Sequence, residues 1–236
     1  MNPDFGKAKA ILFDSGHTLN KPSTGQWFIP PKYNEIIDAS KINLKSFRGV
    51  YAMIRARIYL DRNHSIKDEN EEYELFCEFY RIMLNKAKYS PITEEVINAL
   101  AYDIVYNDNK FIFFDDVEPA FNKLKGRYKL GILSDTWPSL ERVYRNIGLR
   151  DCFQSFVMSS VHGITKSDKR LFQIAINEIG TDAGEIIFVD DSEKNLAMAR
   201  KVGMVPVKIN RYGHGKGRSA FREIGSLEEL LQLVGL

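Results

Sequence analysis

Residues 10–19 read AILFDSGHTL: four apolar side chains, an aspartate, then small and polar residues with a glycine at position 16. An apolar run of that length, closed by turn residues, suits a strand buried on both faces. Residues 130–133, 156–158, 186–189 and 205–209 have the same texture. Helical spacing fills the gaps between the later runs: Phe172, Ala175, Ile176 and Ile179 share one face, and Gly180 and Gly203 stand where helices would stop. Strand and helix in alternation predict a parallel α/β sheet.

From about residue 32 to 107 the alternation breaks. Phe47, Val50, Tyr51, Ile54 and Ile58 recur at helical spacing, as do Phe76, Phe79, Tyr80 and Met83, and then Ile97, Leu100, Ala101 and Ile104 after a starter at Ser90-Pro91. This predicts a helical bundle inserted after the first strand. Two domains are expected, a core of residues 1–19 and 108–236 and an inserted helical domain of residues 20–107. Residues 67–78 carry six acids, which reads as the solvated face of one of these helices.

The chain has 236 residues, enough for one or two domains with a sizeable core. Lys plus Arg is 33 and Asp plus Glu is 31, so the net charge is 33 − 31 = +2, too small for a field that would hold nucleic acid or an anionic membrane. Cys77 and Cys152 lack the spacing of a metal site or redox pair and read as core residues of a reducing compartment. No apolar run reaches signal-peptide or spanning length, so a cytoplasmic protein is expected. Residues 210–219 are glycine-rich, with Arg211, His214, Lys216 and Arg218, but without Walker-loop spacing. They read as a mobile basic connection to a last helix over 227–233.

Ligands of open parallel sheets gather at the carboxyl ends of strands, and four such ends carry chemistry. Asp14 follows the first strand, and Gly16 lets the backbone turn its carbonyl toward the same cleft. Ser134, followed by Asp135, offers a hydroxyl and amides that can hold phosphate oxygens. Lys166 precedes a helix, where its ammonium can neutralise both a carboxylate and an incoming anion. Asp190 and Asp191 are adjacent and would repel one another unless a cation or proton lay between them. With Asp14 they form a hard oxygen cage suited to Mg²⁺. Taken singly, each residue is ordinarily a turn, a cap or a solvated charge; their order and shared position set them apart.

In that order the motifs resemble the haloacid dehalogenase superfamily of aspartate-nucleophile hydrolases, in the subfamily whose helical cap follows the first strand. ILFDSGHTL resembles its nucleophile motif, ILSDT its Ser/Thr motif, the Lys166 segment its lysine motif, and FVDD with Asn195 its acidic motif. The resemblance implies a Rossmann-like sheet of order 5-4-1-2-3 beneath a helical cap. It implies phosphoryl transfer from a small phosphorylated substrate to Asp14, with Ser134, Asp135 and Lys166 holding the phosphate. Mg²⁺ would be bound by Asp14, the Gly16 carbonyl, Asp190 and Asp191.

Most phosphatases of that family carry a second Asp two residues after the nucleophile, where this chain has Gly16. One reading is a phosphatase in which His17 replaces the acid. Others are a phosphonate C–P hydrolase, with a reactive lysine among Lys32, Lys41 and Lys45, or a dehalogenase, since halide leaves without a proton. The last is a phosphate-ligand binding protein with little turnover. Trp27, Phe28 and Tyr33, or Arg48, Arg55 and Arg57, are candidates for contact with the rest of the substrate, although core packing and a solvated helix face are their simpler roles.

Overall fold

A computed structural model describes residues 5–38, 40–215, 217 and 219–236. Strand β1 (Ala10–Phe13) and the short β2 (Asn20–Pro22) come first. Helices α1 (Tyr33–Ile36), α2 (Phe47–Arg62), α3 (Glu69–Ala87) and α4 (Glu94–Tyr106) follow, and then β3 (Phe111–Phe113). The alternating part begins with α5 (Val117–Leu124), β4 (Lys129–Ser134), α6 (Ser139–Asn146), β5 (Ser155–Met158) and α7 (Ser159–His162). It continues through α8 (Lys169–Ile179), β6 (Ile186–Asp190), α9 (Glu193–Lys201), β7 (Val205–Ile209), β8 (Arg222–Ile224) and α10 (Leu227–Leu233). The chain divides into two compact units, one of residues 1–21, 112–136 and 140–236, the other of residues 22–111 and 137–139.

The first unit is built on a six-stranded sheet of order β5-β4-β1-β6-β7-β8, with every neighbouring pair parallel. Counting in chain order only the five strands read from the sequence, and starting at β7, gives 5-4-1-2-3. The detail that differs is β8, a three-residue strand added outside β7. In register, Phe13 pairs with Ile132 on one side and Val189 on the other. All residues of β1 and β6 are buried, as continuous apolar runs between two helical layers require. Gly131 in β4 cannot carry a side chain: a Cβ there would stand 2.6 Å from Leu12 Cδ2 and 3.0 Å from the Ser155 carbonyl oxygen. Gly180, at φ +59°, closes α8 as its sequence position suggested.

The second unit is helical, and α3 lies against both α2 and α4. Its core is aromatic and aliphatic, including Phe76, Phe79, Tyr80, Met83 and Leu100. Asp68 caps α3 by accepting the Asn70 and Glu71 amides, each at 2.9 Å. Helix α4 starts from Thr93, whose hydroxyl accepts the Val96 amide, and so begins after the Ser90-Pro91 starter rather than at it.

Helix α2 turns the opposite way from its large side chains. Phe47 is 92% exposed and Ile54 51%, while Gly49, Ala52, Ala56 and Leu60 form the buried face. Small residues allow the backbones to approach closely. A Cβ on Gly49 would come 2.3 Å from the Asn43 carbonyl oxygen, so only glycine fits there. The acidic run is not wholly solvated either, because Glu72 is 2% exposed. Cys77 and Cys152 are free and half-buried. No helix among the described residues is long and apolar enough to cross a membrane.

Candidate active site

Asp14 is the first residue past β1, and its amide donates to the Val189 carbonyl of β6 at 2.9 Å. Because β4 and β6 flank β1 in parallel, Ser134 at the end of β4 and Asp190 at the end of β6 reach Asp14 from far along the chain. Ser134 Oγ donates to Asp14 Oδ1 at 2.8 Å. Lys166 Nζ lies 2.7 Å from Asp14 Oδ1 and 2.7 Å from Asp190 Oδ2. All four side chains are buried.

Asp190 is anchored further. Its Oδ1 accepts the Ser192 amide at 2.7 Å, and the side-chain amide of Asn195 lies 3.2 and 3.1 Å from its two oxygens. Carboxylate oxygens of Asp14, Asp190 and Asp191 lie within 4.8 Å of one another. Burial, with the charge of Asp14 adding to it and Lys166 opposing, pushes the Asp190 carboxyl up to about 7. Burial and Asp14 push Asp191 up to about 6. For Lys166, burial favours the neutral amine, but the summed charges of Asp14, Asp190 and Asp135 outweigh it and hold the ammonium above the ordinary lysine value.

With all three carboxylates ionised, as a bound cation would hold them, they and the one ammonium carry a formal charge of −3 + 1 = −2. The donors are all hard oxygens, with no thiolate or imidazole in the cluster. A largely buried site of carboxylate oxygens fits one Mg²⁺.

The other residues singled out from the sequence are less uniform. Asp135, expected to contact phosphate, uses Oδ1 to accept the Lys166 amide at 2.8 Å, so its carboxylate locates the lysine. After Asp14 the chain makes a tight turn in which the Ser15 carbonyl accepts the Leu19 amide at 2.8 Å. Gly16 forms an isolated bridge with Asn20, and the left-handed position is His17, at φ +55°. The sequence had placed the conformational freedom on Gly16; the turn demands it of the next residue. His17 Nδ1 lies 3.1 Å from the Tyr212 hydroxyl. Burial lowers its pKa, against the pull of Asp14.

In the helical unit Lys32, Lys41 and Lys45 are exposed, and Lys41 pairs with Asp38 at 3.8 Å. None sits in the buried apolar pocket that a Schiff-base lysine calls for. Trp27 packs on Phe111, Phe28 on Phe79 and Trp137, and Tyr33 is buried, so these aromatics serve the core. Arg48, Arg55 and Arg57 are exposed, and Arg57 lies over the Phe28 ring.

Two supports of the site had no clear signal in the sequence. Ser15 Oγ, beside the Asp14 backbone, is held by the Asn20 amide at 2.7 Å and by the Tyr144 hydroxyl at 2.9 Å. Arg211, read as part of a mobile connection, is instead buried and paired with Asp116, and it donates twice to the Thr18 carbonyl, at 2.9 and 2.8 Å. Only the one-residue context of the glycine-rich stretch marked it. Lys216 and Arg218 lie outside the described residues.

Residues 8–203 match the family of haloacid dehalogenase-like hydrolases. A glyceraldehyde 3-phosphate phosphatase of Methanopyrus kandleri is 29% identical over 219 residues, covering 86% of this chain and 84% of that enzyme. An (S)-2-haloacid dehalogenase of Pseudomonas sp. (strain YL) is 31% identical over 125 residues, 51% of this chain; the match spans about half of that enzyme, 54%. Among solved structures, a HAD phosphatase from Thermococcus onnurineus shares the fold with a TM-score of 0.59, at 22% identity over 96% of this chain and 98% of that one.

Proposed function

The chain belongs to the haloacid dehalogenase-like hydrolases, and from that premise we propose that it is a Mg²⁺-dependent phosphatase of small phosphate esters with Asp14 as nucleophile. The observation that carries the proposal is the convergence of the Asp14, Asp190 and Asp191 carboxylates, with Lys166 bonded to the first two. Phosphatase relatives support the same reaction class. The helical unit is proposed as the cap that reads the rest of the substrate.

Ser134 and Lys166 both donate to Asp14 Oδ1, which orients the carboxylate and leaves Oδ2 to attack phosphorus. As the Asp14 oxygen bonds to phosphorus, the ester P–O bond breaks and its electron pair leaves with the alcohol oxygen. Water then attacks phosphorus, returning the Asp14 carboxylate and inorganic phosphate. Ser134 and Lys166 stabilise negative charge on the phosphoryl oxygens as it shifts. Mg²⁺, when held by Asp14, the Gly16 carbonyl, Asp190 and Asp191, supplies charge neutralisation for those oxygens.

Gly16 offers no proton to the leaving oxygen, and His17 is the candidate for that role in this neighbourhood. General-acid help is worth about 10²–10⁴ in rate, so aryl phosphates, whose leaving groups need no proton, are the expected substrates. A panel of phosphate esters should show Mg²⁺-dependent hydrolysis that EDTA abolishes, with aryl esters faster than alkyl esters by about 10². Full activity in EDTA would contradict the metal role, and phosphate binding without any hydrolysis would leave a binding protein.

Gly16 also favours a second reading, 2-haloacid dehalogenation, where the departing halide takes no proton. The 31% identical dehalogenase matches about half its length. Halide release from a 2-haloacid in EDTA is the discriminating assay. The metal-free reaction gives the converging Asp14, Asp190 and Asp191 carboxylates no cation to hold, which is why phosphate chemistry is preferred.

A further inference from the structure

Ser15, Asn20 and Tyr144 are buried beside the nucleophile, and none is among the groups assigned above to phosphate or metal. Ser15 is 2% exposed, Asn20 1% and Tyr144 0%. All three lie in the first unit. The Tyr144 ring meets Phe113, Phe156 and Phe153 edge-on, with centroids 5.1, 5.3 and 5.7 Å away, so its hydroxyl is a fixed post. That hydroxyl lies 2.9 Å from Ser15 Oγ, and the Asn20 side-chain amide donates to the same oxygen at 2.7 Å. Burial, with the charge of Asp14 adding to it, raises the Tyr144 pKa, so the post is a neutral hydroxyl.

The backbone of Asn20 closes on the same turn. Its amide donates to the Ser15 carbonyl at 3.1 Å, and its carbonyl accepts the His17 amide at 2.6 Å. The peptide joining Gly16 to His17 is trans and planar. A bond that draws its N–H toward Asn20 therefore sends its C=O, the Gly16 carbonyl, the opposite way. His17 is left-handed, at φ +55°, and a residue other than glycine stays there only where its surroundings hold it. Buried polar groups are seldom more stabilising than apolar side chains of the same shape, but a fully bonded set specifies one arrangement. The arrangement specified here is that of residues 15–17.

We propose that Asn20, Ser15 and Tyr144 are positioning residues, a buried chain of hydrogen bonds that holds the turn after Asp14 and keeps the Gly16 carbonyl turned away from Asn20, available as a Mg²⁺ ligand. The metal part of this inference rests on the Mg²⁺-dependent reading of the site; the hold on the turn does not. The test compares wild type with Tyr144→Phe, Ser15→Ala and the double variant, well below their melting temperatures. Isothermal titration of the metal-free proteins with Mg²⁺ should show the dissociation constant rising about tenfold in each single variant, the order of one buried hydrogen bond. The double variant should bind no more weakly than the weaker single one, because both substitutions break the same chain. Hydrogen exchange by mass spectrometry, without metal, should quicken about tenfold over residues 14–20 and keep the wild-type rate over residues 169–179 of α8.

Unchanged exchange over residues 14–20, unchanged Mg²⁺ affinity in both single variants, or losses that add in the double variant would each overturn the proposal, whatever the melting temperature does. Should Ser15→Ala not fold, Tyr144→Phe keeps the ring among its phenylalanine neighbours and decides by the same two measurements. A wild-type protein that binds no Mg²⁺ removes the metal reading of the site, and exchange over residues 14–20 then decides the hold on the turn.

Discussion

Asp14→Asn is expected to lower kcat for an aryl phosphate by at least about 10³-fold while the protein stays folded. The amide has the size and the acceptor oxygen of the carboxylate, so the Ser134 and Lys166 bonds to that oxygen can persist. What disappears is the anionic oxygen that bonds to phosphorus. The charge of Asp14 is also among the causes that raise the Asp190 and Asp191 carboxyls, so its removal relieves repulsion in the metal-free site. Steady-state kinetics with a melting curve on the same preparation checks both halves. Wild-type turnover in the variant would exclude Asp14 as nucleophile.

Lys166→Met is expected to damage activity and fold together. The lysine is fully buried and carries the only cationic contact described for Asp14 and Asp190. Removing one partner of a buried ion pair leaves uncompensated charge and costs about 3–5 kcal/mol. Losing a preorganised donor to the phosphoryl group costs about 10²–10³ in kcat. Urea unfolding and initial rates measure the two effects separately. A variant as stable as wild type would show that the Asp14–Lys166–Asp190 contacts do not hold the site together.

The five main strands were legible because both their faces are buried, which makes each an unbroken apolar run between turn residues, as in β1 and β6. The chemistry was legible for a related reason: Asp14, Ser134 and Asp190 each stand at the point where such a run stops. Helix α2 was legible as a helix but its buried face was not, because hydropathy does not register side-chain size. Phe47, Val50, Tyr51 and Ile54 form the apolar stripe, yet Gly49, Ala52 and Ala56 let the helix approach its neighbour and so turn inward. Glu72 was hidden among acids of which most face water, and only the arrival of Ser139 and Lys110 explains its burial. Arg211 escaped notice because its partners, Thr18 and Asp116, lie about a hundred residues or more away. Long-range polar contacts of that kind have no period to read.

The most direct test is to quench a reaction of the wild-type protein with Mg²⁺ and an aryl phosphate, trap the acyl phosphate with borohydride, and map the modified residue by peptide mass spectrometry. The account predicts a single modified site, at Asp14, that appears only with substrate and is absent in Asp14→Asn. Turnover with modification at another residue, or with none at all under conditions that trap acyl phosphates, would contradict it.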